Sequence, residues 1–168
     1  MMRIFFLATF AANVILTLVS WVILPDNVAI HFGANGVPDG WSPVWFHVLI
    51  FLGMQLVLFV TIWFGSKLSL GLHGRWVNLP NKDYWLQEEN LPKAQERIAS
   101  TMMEFGTAMM LFLFVIGVLT IKANLSDPVR LSNEFFWPSF LIFMAFVVYW
   151  CIKFLYLFRV PKEEFPRH

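Results

Sequence analysis

Charge is scarce in this chain. Asp, Glu, Lys and Arg supply 14% of its 168 residues, where a soluble domain carries about 25%. Cysteine is scarcer still. Cys151 stands alone inside an apolar run, so no intrachain disulfide forms and no thiol-based metal or redox motif can be written. We expect it to be a buried structural thiol. Neither spacing of a glycine-rich phosphate loop occurs, and no serine or cysteine sits in a nucleophile-elbow context. An intramembrane hydrolase needs ionisable groups at depth, and the long apolar runs hold almost none. These absences point away from an enzyme, so no catalytic residue, metal or cofactor is assigned. Twelve basic residues nearly cancel 11 acidic ones, and their mixing along the chain argues against a nucleic-acid surface.

Hydrocarbon takes the place of charge. Apolar residues make up 58% of the chain, more than a core of this size can hide from water. A lipid bilayer as the outer solvent resolves the excess. Residues 4–24, IFFLATFAANVILTLVSWVIL, are uncharged and end at Pro25-Asp26. As a helix they reach about 32 Å, enough for a hydrocarbon core of about 30 Å. The run exceeds a signal-peptide core and no small-x-small site follows, so an uncleaved span is expected. Within it Ala8 and Ala12 form a small-xxx-small pair that could seat a neighbouring helix. Residues 44–66 make a second span, with His47 in its first turn and Gln55 near its middle. Gln55 is expected to bond across to another helix. A third helix restarts at Pro92. Leu91, Ala94, Ile98, Met102, Phe105 and Met109 trace one apolar face of it, and Lys93, Arg97, Ser100, Glu104 and Thr107 another. Its spanning part is 101–121, and a fourth span covers 137–158, opening on Trp137-Pro138. Lys153 is expected to snorkel to the nearby interface.

The fold expected is therefore an all-α integral membrane protein of one domain with four transmembrane helices. Loops 25–43 and 122–136 lie on one side; segment 67–100 and tail 159–168 lie on the other. Ten basic residues fall on the side of both termini against two on the loop side, which places the termini in the cytoplasm by the positive-inside bias. In segment 67–100, Trp76, Tyr84 and Trp85 fit the membrane–water boundary, and Asn81 could cap a turn after Pro80. Asn124-Leu125-Ser126 matches a glycosylation sequon but reads as plain loop.

The outer loop carries the densest pattern of turn formers: Pro25, Asp26, His31, Phe32, Asn35, Gly36, Asp39, Gly40 and Trp41. Asn35-Gly36 favours a tight turn, so a small hairpin or compact cap over the first two helices is expected. His31 and Asp39 can bond each other or the backbone and hold this cap in shape. They can also be read, with Asp26 and His47, as metal ligands, although no His-x-His or His-x-x-x-His spacing supports that. The second polar pattern is Asn78, Pro80, Asn81, Asp83, Tyr84 and Trp85 on the cytoplasmic side. It reads as an interfacial platform, a dock for a partner, or simple packing against the bundle. Glu104 and Gln55 are the polar candidates within the membrane. Arg97, seven residues from Glu104, reaches it only if both long side chains extend, and Glu104→Gln is expected to leave folding intact.

The loop pattern Leu24-Pro25-Asp26 through His31-Phe32, Asn35-Gly36 and Asp39-Gly40-Trp41 resembles a bacterial membrane domain of unknown function. That domain forms the N-terminal part of SdpI-type toxin-immunity proteins. Asn78 through Leu86 looks like a second signature of its stand-alone members. The resemblance covers residues 4–66 and extends towards residue 90. It implies a small polytopic protein of the bacterial inner membrane with no established enzymatic activity. The immunity role belongs to longer relatives with a further membrane region, and this chain ends after four spans. The leading expectation is thus a non-catalytic binding, protective or accessory-subunit protein, with a membrane-protein partner or a second copy of itself. The alternative is a small carrier or ion pathway formed by oligomerisation and lined by Gln55 and Glu104. A metal-dependent enzyme using the outer loop comes third.

Overall fold

The computed structural model describes residues 2–71 and 78–160. In chain order they form α1 (Met2–Ile23), β1 (Asn27–Phe32), β2 (Pro38–Pro43), α2 (Val44–Gly71), α3 (Lys82–Trp85), α4 (Leu91–Asn124) and α5 (Asn133–Leu157). Four of the helices are long and apolar enough to cross a membrane. Their surfaces are inverted relative to a water-soluble bundle. Val22, Ile142 and Val57 are 84%, 72% and 66% exposed, while Asn13, Ser20 and Gln55 are at most 2% exposed. Polar groups are interior and hydrocarbon exterior, the distribution expected when lipid is the solvent. These features suggest a multi-pass membrane protein.

Helix α4 is the axis of the bundle and packs against α1, α2 and α5. Its 34 residues run about 51 Å, so one end extends past a 30 Å hydrocarbon core. Its apolar face is not the simple stripe expected from the sequence. Ala94 and Ile98 are buried near its start, and thereafter Thr101, Met103, Gly106 and Met110 turn inward. Met102 and Phe105 instead lie partly buried beside them. The change follows from the neighbours: the first turns meet the end of α5, whereas the middle meets α1 and α2. Gly106 permits that middle contact. A methyl group there would lie 2.8 Å from both Ile62 and Phe6, closer than carbon atoms approach. The small-residue contact is therefore on α4; Ala8 of α1 faces outward.

Helix α5 begins at Asn133, four residues ahead of the expected Trp137, and takes Pro138 into its second turn. Proline removes one i→i−4 bond. The start is instead set by Ser132, in extended conformation ahead of the first turn, with Glu134 next to the helix's positive end. Cys151, expected to be buried, lies on the exposed face of α5.

The two ends of the bundle are closed differently. At the α5 C-terminus, the last carbonyls lack intrahelical partners, and side chains from the preceding segment supply them. Phe158 C=O accepts from Asn81 Nδ2 at 2.7 Å and from Trp85 Nε1 at 2.9 Å. Arg97 donates to Leu157 C=O and lies 4.6 Å over the Trp85 ring. Asn81 is thus not a side-chain cap of α3. It stands at φ 53, a left-handed turn position asparagine tolerates, and caps α5. Trp85 is fully buried against Phe158, a plug between helix ends and not an exposed ring. Trp76 lies outside the described residues.

Candidate binding site at the hairpin end

The opposite end carries an antiparallel hairpin. Its register pairs Asn27 with Pro43, Val28 with Ser42 and Ala29 with Trp41, then shifts twice before Phe32 meets Pro38. Asp26 C=O accepts from Val44 N–H at 2.8 Å and closes the base. At the tip, Gly36 N–H returns to Gly33 C=O at 2.8 Å, and Gly36 takes φ 78. A Cβ there would also meet Leu131 O at 2.4 Å, so glycine is required twice over. Asn35 Oδ1 accepts from Val37 N–H at 3.1 Å, the local bond that suits asparagine to turns.

Two clamps hold this hairpin to the bundle. Asn124, at the end of α4, presents its side-chain amide to Ala29 as a neighbouring strand would. Its Oδ1 accepts from Ala29 N–H at 2.7 Å, and its Nδ2 donates to Ala29 C=O at 3.0 Å. The second clamp takes three successive tip carbonyls. Ala34 accepts from Asn133 Nδ2 at 2.8 Å, Asn35 from Arg130 at 3.0 Å, and Gly36 from Leu131 N–H at 2.9 Å. The amide of Asn124 is buried and fully used, so its sequon pattern carries no modification reading.

His31 and Asp39 bond each other across the strands, where Gly40 lets them approach. Both are largely exposed, at 73% and 53% of their side chains. Pro25, Asp26 and Trp41 are exposed as well, while Phe32 is half-buried. The four residues considered as metal ligands do not converge: His47 is buried in α2, and among the described residues no three His, Cys, Asp or Glu side chains form a metal-binding group.

Below the hairpin, the interior of the bundle is polar. Asn13 Nδ2 donates to Met110 C=O at 2.8 Å, joining α1 to α4. Gln55 Nε2 donates to Thr17 Oγ1 at 2.8 Å, joining α2 to α1. Such interhelical bonds are worth about 0.6–2 kcal/mol each in a membrane. Thr17 and Ser20 return their hydroxyls to the backbone of α1. Sequence reasoning passed over Asn13, Thr17 and Ser20, although their spacings of four and three already mark one helical face. Two buried atoms in this layer have no hydrogen-bond partner among the described residues, His47 Nδ1 and Gln55 Oε1. A void of about 10 Å³ lies beside them. Beyond it a cleft of about 410 Å³ opens between β1, α2, α4 and the start of α5.

Glu104 belongs to a different interface. It pairs with Lys153 of α5 at 2.5 Å, so Lys153 does not simply snorkel and Arg97 is not the partner. Gln55 faces α1 while Glu104 faces α5.

Residues 8–56 match the model of a domain of unknown function, DUF1648. The DUF1648 stretch runs from α1 through the hairpin to just past Gln55. It therefore includes the hairpin, Asn13, Thr17, Ser20, His47 and Gln55, but neither clamp residue 124 nor the Asn78–Leu86 motif. No curated protein and no solved structure matches the chain.

Proposed function

We propose that this protein is a non-catalytic, membrane-embedded binding module of the protective or accessory kind. Its recognition surface is the clamped hairpin with the cleft beneath it. The supporting observation is the double clamp. Three tip carbonyls and both backbone groups of Ala29 are tied down by side chains and backbone from residues 124–133. A loop held this way loses little entropy when it meets a partner, and rigid support is what binding surfaces need. The outward-facing His31, Asp39, Val37 and Trp41 offer one hydrogen-bonded polar pair and two apolar contacts. The resemblance to the N-terminal domain of SdpI-type immunity proteins favours a membrane partner or toxin over a small-molecule substrate. The bias of basic residues favours both termini in the cytoplasm of a bacterial inner membrane, with the hairpin on the outer face.

The test is site-specific photocrosslinking in living cells. A photoreactive residue at Val37 yields discrete adducts that disappear when Asn124→Ala loosens the hairpin. The same group at Val148, on the exposed face of α5, gives only lipid adducts. A Val37 pattern no different from that of Val148 refutes the binding-module reading.

A further inference from the structure

We propose that the cleft takes a neutral, hydroxyl-bearing amphiphile drawn from the surrounding leaflet, with the hydroxyl donating to His47 Nδ1. The inference rests on the binding-module reading and names the chemistry of its cleft. Its volume of about 410 Å³ falls within the 300–1,000 Å³ usual for small-molecule sites. The walls are mostly hydrocarbon and aromatic, with Phe51 of α2, Ile116 of α4, and Phe136 and Trp137 of α5, and they also include His31, Thr120 and Asn133. Helix α2 packs on α1 and α4, and α5 packs on α4, but α2 and α5 form no packed interface among the described residues. The cleft lies between them at the hairpin end, where a chain can enter sideways from lipid.

Two features select the polar end of the ligand. His47 and Phe51 line both the cleft and the void of about 10 Å³ behind it, and so form the partition between the two spaces. That void has room for about one water-sized group, a hydroxyl and not a phosphate or a choline. His47 and Gln55 are 5% and 2% exposed, and His47 Nδ1 and Gln55 Oε1 have no partner among the described residues; with its proton on Nε2, the imidazole presents Nδ1 as an acceptor like the amide oxygen. Buried acceptors without a protein partner call for a donor. No lysine or arginine is among the residues lining either space, so no fixed positive charge there balances an anionic headgroup. An apolar chain ending in a hydroxyl satisfies both demands.

The test uses the full chain reconstituted in phosphatidylcholine nanodiscs and a diazirine-bearing hexadecanol as probe, with adducts mapped by mass spectrometry. The expected adducts concentrate on Phe51, Phe136 and Trp137. Unlabelled hexadecanol competes about tenfold better than hexadecyl methyl ether, which accepts but cannot donate. His47→Phe keeps the ring volume and brings that ratio to about one. Should His47→Phe fail to fold, Gln55→Leu serves as the second variant and is expected to narrow the same ratio. Labelling spread evenly over lipid-facing Leu141 and Ile152, or equal competition by alcohol and ether in the unmodified protein, overturns the proposal. Better competition by hexadecanoic acid than by hexadecanol also overturns it. Because Val37 crosslinking reads the partner surface separately, loss of alcohol selectivity with Val37 adducts intact removes this inference alone.

Discussion

Replacing Asn124 with alanine tests the hairpin clamp at its most economical point. Asn124 Oδ1 and Nδ2 are the partners of both polar groups of Ala29, and Ala29 is fully buried. Both groups turn away from β2, as in the non-hydrogen-bonded pairs of an antiparallel ladder, so β2 cannot take over. Truncation leaves a buried N–H and a buried C=O without partners, at about 1–3 kcal/mol each. The hairpin's remaining ties, at Gly36, Asn35 and Ala34, keep it near the bundle but not shut. The lower bound of about 2 kcal/mol raises the open population about 30-fold, since 1.4 kcal/mol is a factor of ten. The assay places a single thiol at Val28, which is fully buried, in a Cys151→Ser background. Its labelling rate by a membrane-impermeant maleimide reports opening. We expect the Val28→Cys thiol to label about 30 times faster with Asn124→Ala than with Asn124 intact. Asn124→Asp keeps the acceptor but sets a carboxylate against Ala29 C=O, so it opens the hairpin too. Equal labelling rates in folded Asn124 and Asn124→Ala proteins refute the clamp.

Four further outcomes are expected. Gly36→Ala forces a β-carbon into Leu131 O at a left-handed position; it raises the Val28→Cys labelling rate while leaving membrane insertion unchanged. Gly106→Ala overpacks the α4 contact with Phe6 and Ile62, costing about 1–3 kcal/mol and lowering the melting temperature in mild detergent. Trp85→Ala removes a fully buried ring and its bond to Phe158, a loss of about 3–5 kcal/mol, and limited proteolysis then cuts within residues 78–90. Glu104→Gln replaces the carboxylate facing Lys153 with an amide oxygen that still accepts its hydrogen bond; the protein remains folded by thermal melting, and Lys153→Met in the same chain removes any difference from the unmodified protein.

The helical plan was legible because four apolar runs separated by turn formers leave little choice of element. The tight turn at Asn35-Gly36 and the cross-helix bond of Gln55 were readable for the same reason: turn chemistry and a lone amide in hydrocarbon have few outcomes. What escaped were contacts between residues far apart in sequence. Asn124 read as loop, yet it completes a strand edge 95 residues away. Trp85 reads either as an interfacial ring or as packing against the bundle, because the sequence does not reveal that the end of α5 lies beside it. Lys153 read as a snorkelling cation, since Glu104 is its partner only through the α4–α5 packing. Asn13, Thr17 and Ser20 are a different case, for their common helical face was present in the spacing.

The most direct test of the whole account is the sidedness of the bundle's two ends. Single thiols at Val37 in the hairpin and at exposed Glu88 beyond α3, each in a Cys151→Ser background, are exposed to an impermeant maleimide in intact spheroplasts. The Val37→Cys thiol is expected to label at once and the Glu88→Cys thiol only after permeabilisation. Labelling of both from the same side contradicts that sidedness.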